Sequence, residues 1–248
     1  MIDYNLAFLS MASQSDLKVL VDYITLDKSG SPRLTESLTC TDEYKKCYPH
    51  SLNKMTGSII DELQRFGGNT FFNIIRGHGV PYRTILCDVC KKMKVNFNKK
   101  SSVEVIESCL LQHILLKTMD EMSDADLRNL LAELDIRTTS FSKQAMIAAV
   151  QGAIKIGGFA SYKIAVIVAN SVARALLGRG LSFAANAALT RWIGVFAGPI
   201  GWAVTIAWTA LDIAGPAYRV TIPAVIQIAY MRVKANTPKA ITEGSSDF

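Results

Sequence analysis

At 248 residues the chain is long enough for one large domain or two modest ones, with ample core. It is 50% hydrophobic, only 8% aromatic and 19% charged, with a net charge of +6. Its longest basic cluster, Lys91, Lys92 and Lys94 followed by Lys99 and Lys100 around Phe97, reads as a solvated helix end, so no nucleic-acid partner is expected.

The N-terminal segment reads as two short helices and a turn. Leu6, Phe8 and Leu9 form an apolar knot, and Ser15 is placed to cap a helix whose face is Leu17, Leu20, Val21 and Ile24. Asp27-Lys-Ser-Gly30-Ser-Pro32 stops that helix. The stretch is no calcium loop, since it lacks the later bidentate Glu and has Pro32 where a ligand should lie. Residues 40–58 are polar and predict an irregular connection. A helical pattern resumes at Ile59, Ile60 and Leu63 and breaks at Gly67-Gly68, before an apolar block at Phe71, Phe72, Ile74 and Ile75. Arg76-Gly-His-Gly-Val-Pro-Tyr-Arg83 is a turn, followed by a helix carrying Ile85, Leu86, Val89 and Met93. Val103 to Met119 predicts a long amphipathic helix, and Ser123, three residues before Asp126, starts another that runs to about Leu134.

From Ser142 the composition changes. Residues 156–218 hold five charged side chains, Lys163, Arg174, Arg179, Arg191 and Asp212, while Ala, Gly, Ile and Val dominate. Helices are expected over 143–156, 161–177, 182–197, 201–213 and 221–234, punctuated by glycine pairs and Gly-Pro steps. Trp192 to Leu211 is 20 consecutive residues without a charge, bracketed by Arg191 and Asp212. That length matches the hydrocarbon thickness of a bilayer. Gly194 and Gly198 have the small-xxx-small spacing that lets helices approach closely. Gly198-Pro199-Ile200-Gly201 in the middle favours a break, hence a hairpin of two half-length apolar helices, over one straight span. Trp192, Trp202 and Trp208 punctuate it. Such a hairpin is either a buried pair in a soluble bundle or an element that leaves the bundle for a membrane.

The chemistry-bearing residue types do not assemble into a catalytic centre. Cys87-Asp-Val-Cys90 has metal-ligand spacing, but no second Cys pair or His pair completes it, so these cysteines are expected to be structural and no metal is assigned. The five cysteines form no framework and Met1-Ile-Asp-Tyr4 begins no signal peptide, which predicts a cytoplasmic protein, with association at the inner membrane. Asp61-Glu62, Asp120-Glu121 and Asp124-Asp126 are expected at helix starts, where the dipole favours them. Arg76, Gly77, His78, Gly79 and Arg83 make the best candidate anion- or partner-binding loop, with free amides beside two arginines. The alternative is a structural turn in which Arg76 and Arg83 bond to helix carbonyls.

Arg76-Gly-His-Gly-Val-Pro-Tyr-Arg83 with Ile-Leu-Cys-Asp-Val-Cys-Lys-Lys after it, and Ala217-Tyr-Arg-Val-Thr-Ile-Pro-Ala-Val-Ile-Gln-Ile-Ala229, closely resemble two signatures of the YaaW family, as does Glu62-Leu-Gln-Arg-Phe-Gly-Gly-Asn69. The family is bacterial, helical and functionally uncharacterised, and is grouped distantly with ubiquinol–cytochrome c chaperone domains. Asp3 to Thr39 resembles the small N-terminal module of unknown function often attached to it. The resemblance implies a cytosolic or membrane-associated protein without known catalytic residues.

The expectation is an all-α multi-helix bundle with a glycine- and alanine-rich apolar C-terminal hairpin. It divides into an N-terminal module (1–39), an amphipathic middle (58–140), an apolar helical region (142–235) and a flexible tail (236–248). The first functional reading is a non-enzymatic membrane-associated or membrane-active protein, such as a stress or defence effector, acting through the 192–211 hairpin on membrane lipid without a cofactor. The second is a soluble assembly factor for an apolar helical protein client. Either could be a homo-oligomer.

Overall fold

The computed structural model describes residues 3–27, 29–68, 79–156, 159–177 and 217–238. These are helical, with no strand among them; the one extended contact is an isolated bridge between Leu26 and Pro32. The expected helices at 182–197 and 201–213, the Trp192–Leu211 run with Trp192, Gly194, Gly198, Pro199, Gly201, Trp202 and Trp208, and Arg76, Gly77 and His78 lie outside the described residues. So does most of the 236–248 tail.

A 3-10 helix, Tyr4–Met11, precedes α1 (Gln14–Thr25). The cap of α1 is Ser13 and not Ser15: its Oγ accepts from the Asp16 amide and donates to the Asp16 carboxylate at 2.6 Å. The acidic residue three positions on closes the capping pair, a signal that the sequence carries two residues before Ser15. The stretch 40–58 is also more regular than expected. It holds α2 (Asp42–Cys47), capped by Thr41, and a 3-10 turn at Leu52–Met55 that buries Leu52 and Met55.

After α3 (Thr56–Gly67) come α4 (Tyr82–Lys92), α5 (Val103–Asp120), α6 (Asp124–Glu133), α7 (Lys143–Ile156) and α8 (Phe159–Leu177). Ser123 caps α6 as its spacing predicts. α4 and α6 both close through a non-glycine residue in the left-handed region, Lys94 at φ 59° and Asp135 at φ 54°. The next amides, Val95 and Ile136, then reach back to Cys90 and Leu131 at 2.8 Å. Two acidic pairs are placed differently from the helix-start expectation. Glu62 lies in the middle of α3, where its carboxylate accepts from the Ser37 amide and hydroxyl, and Asp120-Glu121 ends α5.

The organising element is α9 (Tyr218–Asn236). From Val220 to Arg232 every residue is buried, on all faces. A helix apolar all round has to be surrounded, and α9 is packed by α8, α1, α5, α3 and α4. The three sequence regions 1–39, 58–140 and 142–235 therefore feed one continuous core, from Leu6 through Ile114 to Met231.

Candidate functional site

The C-terminus of α3 is a junction. The last carbonyls of a helix have no intrahelical donor and must find partners elsewhere. Here the Gln64 carbonyl accepts from Val80 at 3.1 Å, Arg65 from Gly68 at 3.3 Å, and Phe66 from Ala217 at 3.0 Å. Val80 and Ala217 stand where the chain resumes after residues 69–78 and 178–216. Val80, from the Arg76–Arg83 stretch, and Ala217, just before α9, thus bond within one turn of the same helix. The junction is tight. A Cβ on Gly79 would stand 2.2 Å from the Gln64 backbone carbon, and one on Gly67 would meet Ile85 at 2.3 Å.

Tyr82 and Arg83 carry the loop into α4. The N-cap position is Pro81, which offers no side-chain cap. Asp3 supplies it from across the chain: its Oδ2 accepts from the Tyr82 amide at 2.7 Å and from Gln64 Nε2 at 3.1 Å. Arg83 Nη2 donates to the carbonyls of Lys99 and Ser101, both at 2.6 Å. Both carbonyls belong to the segment that leads into α5, so Arg83 ties the start of α4 to it.

Behind the loop lies a buried ionic centre. Glu107 Oε1 accepts from the Tyr82 hydroxyl at 2.6 Å, and Glu107 Oε2 from Arg232 Nε at 2.7 Å. Arg232 Nη2 also donates to the Asn5 carbonyl at 2.6 Å, and its guanidinium sits 4.4 Å from the centre of the Phe8 ring. Burial pushes the Glu107 carboxyl up, against the opposing pull of Arg232 and Tyr82. Burial and the Glu107 charge hold the Tyr82 phenol well above its ordinary value. A second tie fixes α1 to α9: Lys234 meets the Asp16 carboxylate at 2.7 Å and Gln227 donates to the Asp16 carbonyl at 3.1 Å. The centre binds the N-terminal module to the last helix, and all its members are engaged with one another.

The other feature is a cavity of about 390 Å³ lined by Tyr23, Leu26, Arg33, Leu176, Leu177 and Arg219, with Asp27 and Ser29 from the turn after α1. Leu177 is the last described residue before the apolar run, and Arg219 is two residues after Ala217. α8 and the first turn of α9 share this corner.

Cys87 and Cys90 lie on α4. Cys90 is buried, and burial pushes its thiol up to about 12. Among the described residues, no group of three or more His, Cys, Asp or Glu is placed to hold a metal ion, and no helix is long and apolar enough to cross a membrane.

Glu107, Arg232, Arg33 and Arg219 were not singled out from the sequence. Glu107 was findable: it shares a face with Ile106, Leu110, Leu111 and Ile114, where a lone carboxylate requires a partner. Arg232 was findable too, as a charge ending a run of buried positions. That they pair across 125 positions is a property of the fold.

These features define an all-α bundle built around a C-terminal helix buried from Val220 to Arg232, with an ionic clasp to its N-terminal module. The chain belongs to the UPF0174 family. It is 47% identical over 233 residues, 94% of this chain and 92% of the relative, to a UPF0174 protein of Helicobacter pylori strain J99. It is 31% identical over 234 residues, 93% and 94% of the two chains, to UPF0174 protein YaaW of Escherichia coli strain K12. Residues 2–34 match the family described as Domain of unknown function (DUF3944), at the position of the expected N-terminal module. No solved structure matches the chain.

Proposed function

We propose that this is a non-enzymatic, membrane-associated protein whose helical body anchors the chain on both sides of the apolar 192–211 run and offers that run to a lipid bilayer. The observation that supports the reading is the junction at the end of α3. Just before α9 the Ala217 amide is tied to the Phe66 carbonyl, and Leu177 at the end of α8 and Arg219 in α9 line one cavity. The Arg76–Arg83 loop rejoins the same turn of α3 through Val80. A chain that carries Arg76 and His78 as well as an uncharged, Trp-punctuated run has the residue types that suit an anionic membrane surface, with charge meeting headgroups and apolar side chains meeting acyl chains.

The test is fractionation of cells producing the full chain, with a carbonate wash of the membranes. The proposal expects the protein in the washed membrane pellet. Recovery in the supernatant before any wash would overturn it and leave the assembly-factor reading, in which the apolar run is core or binds a client.

A further inference from the structure

The cavity at the corner of α1, α8 and α9 has features that packing alone does not explain. Two arginines, Arg33 and Arg219, line one cavity of about 390 Å³. Neither forms an ion pair among the described residues, although two like charges facing one space repel. Burial first, and the charge of Arg219 second, push the Arg33 guanidinium below its ordinary value. Arg33 Nε is buried without a hydrogen-bond partner, and so is the hydroxyl of Tyr23, a residue only 2% exposed. Buried donors left unmet cost free energy and are rare in native proteins. The nearest acid on the cavity wall, Asp27, is turned to its own loop, where Oδ1 accepts from the Ser29 amide and hydroxyl and from the Ser31 amide. The same cavity is also lined by Leu26, Leu176 and Leu177.

We propose that this cavity is a binding site for a phosphate group carrying an apolar arm. Arg33 and Arg219 hold the phosphate oxygens, the Tyr23 hydroxyl and Arg33 Nε supply the unmet donors, and the leucines cover the arm. Arginine's planar fork matches phosphate geometry, and two positive charges suit a dianion better than a single carboxylate. The volume is that of a small-ligand site, about the lower part of the 300–1,000 Å³ range. The site does not depend on whether 192–211 enters lipid.

The experiment uses the purified full chain, with inorganic phosphate and short-chain phosphatidic acid, below its micelle concentration, as probes. Binding is read by calorimetry and by the shift in melting temperature. A free phosphorylated metabolite as the natural ligand predicts saturable binding of inorganic phosphate alone. A lipid headgroup predicts binding of phosphatidic acid with little response to phosphate. Arg33→Gln and Arg219→Gln each weaken the bound probe about tenfold or more, as loss of a charge-assisted bond requires, and Tyr23→Phe weakens it less. Arg174→Gln, an exposed arginine on α8, leaves binding unchanged. Without ligand, Arg33→Gln melts no lower than the parent, because a like-charge repulsion is gone; that rules out misfolding as the cause of lost binding. No saturable binding of either probe, or binding that both arginine variants retain in full, overturns the proposal. Probe binding by the parent protein is read independently of its recovery with membranes, so failure of the membrane reading and failure of this site are separable.

Discussion

The amide of Ala217 donates to the carbonyl of Phe66 at 3.0 Å, joining the first turn before α9 to the last turn of α3. Two carbonyls earlier, Gln64 receives Val80. One helix end therefore receives two segments far apart in sequence, and Gly67 and Gly79 give the clearance.

Gly79→Ala tests that junction. The added methyl would meet the Gln64 backbone at 2.2 Å, and backbone cannot step aside as a side chain can. The expected loss is about 1–3 kcal/mol, the range for forced overpacking, read as a lower urea midpoint. Gly57→Ala, with open space around its Cβ, serves as the control and should not lose stability. Equal losses at both positions would contradict the account.

The Glu107–Arg232 pair makes a second prediction. Removing either partner leaves the other charged and buried, so Glu107→Met and Arg232→Met each cost about 3–5 kcal/mol. The double variant removes both charges and recovers much of that loss. A double-mutant cycle by urea denaturation checks it; simple addition of the two losses would show that the pair is not coupled.

Two helix ends can be improved. Lys94 and Asp135 hold left-handed backbone at φ 59° and 54°, which glycine adopts without penalty. Lys94→Gly should raise stability by about 1 kcal/mol, near the lower bound of the left-handed cost, and Asp135→Gly by less, because it also removes the ion pair with Lys163 at 3.1 Å. Thermal melts of the two variants decide the point, and a drop in melting temperature would mean that the lost side chain matters more than the backbone.

Cysteine chemistry should separate Cys40 from Cys90. Burial raises the Cys90 thiol to about 12, so at pH 8 it stays protonated as well as covered. The exposed Cys40 reacts with iodoacetamide in the folded protein, while Cys90 reacts only after denaturation. Mass spectrometry of the labelled peptides reads the order directly. Cys90 labelled early would contradict the burial of α4.

Much of this arrangement is written locally. Ser123 with Asp126, the apolar spacing of Val103–Asp120 and the stop at Gly67-Gly68 fixed elements that the structure contains. Ser13 was missed because two serines compete and only the carboxylate three residues on decides between them. α2 was missed because its six residues bury none of their own side chains, leaving no apolar period to detect. Asp3 as the cap of α4 was out of reach of any local pattern, since donor and acceptor are 79 positions apart. The cavity arginines, likewise, become neighbours only when α9 returns beside α1.

The central claim is that residues 192–211 enter lipid, and one measurement addresses it most directly. The purified full chain, Val195→Asp and Ile206→Asp are each sedimented with liposomes of phosphatidylethanolamine and phosphatidylglycerol, and their helical signal and melting temperature are recorded alongside. A charge inside a membrane-entering segment blocks insertion at a cost of about 2.5–3.5 kcal/mol per residue at the bilayer centre. The account predicts that the parent pellets with the liposomes, while both variants stay in the supernatant with their helical signal intact. A parent that ignores liposomes, with both variants losing their helical signal, would contradict it: the run would then be core, where an unpaired charge unfolds the protein.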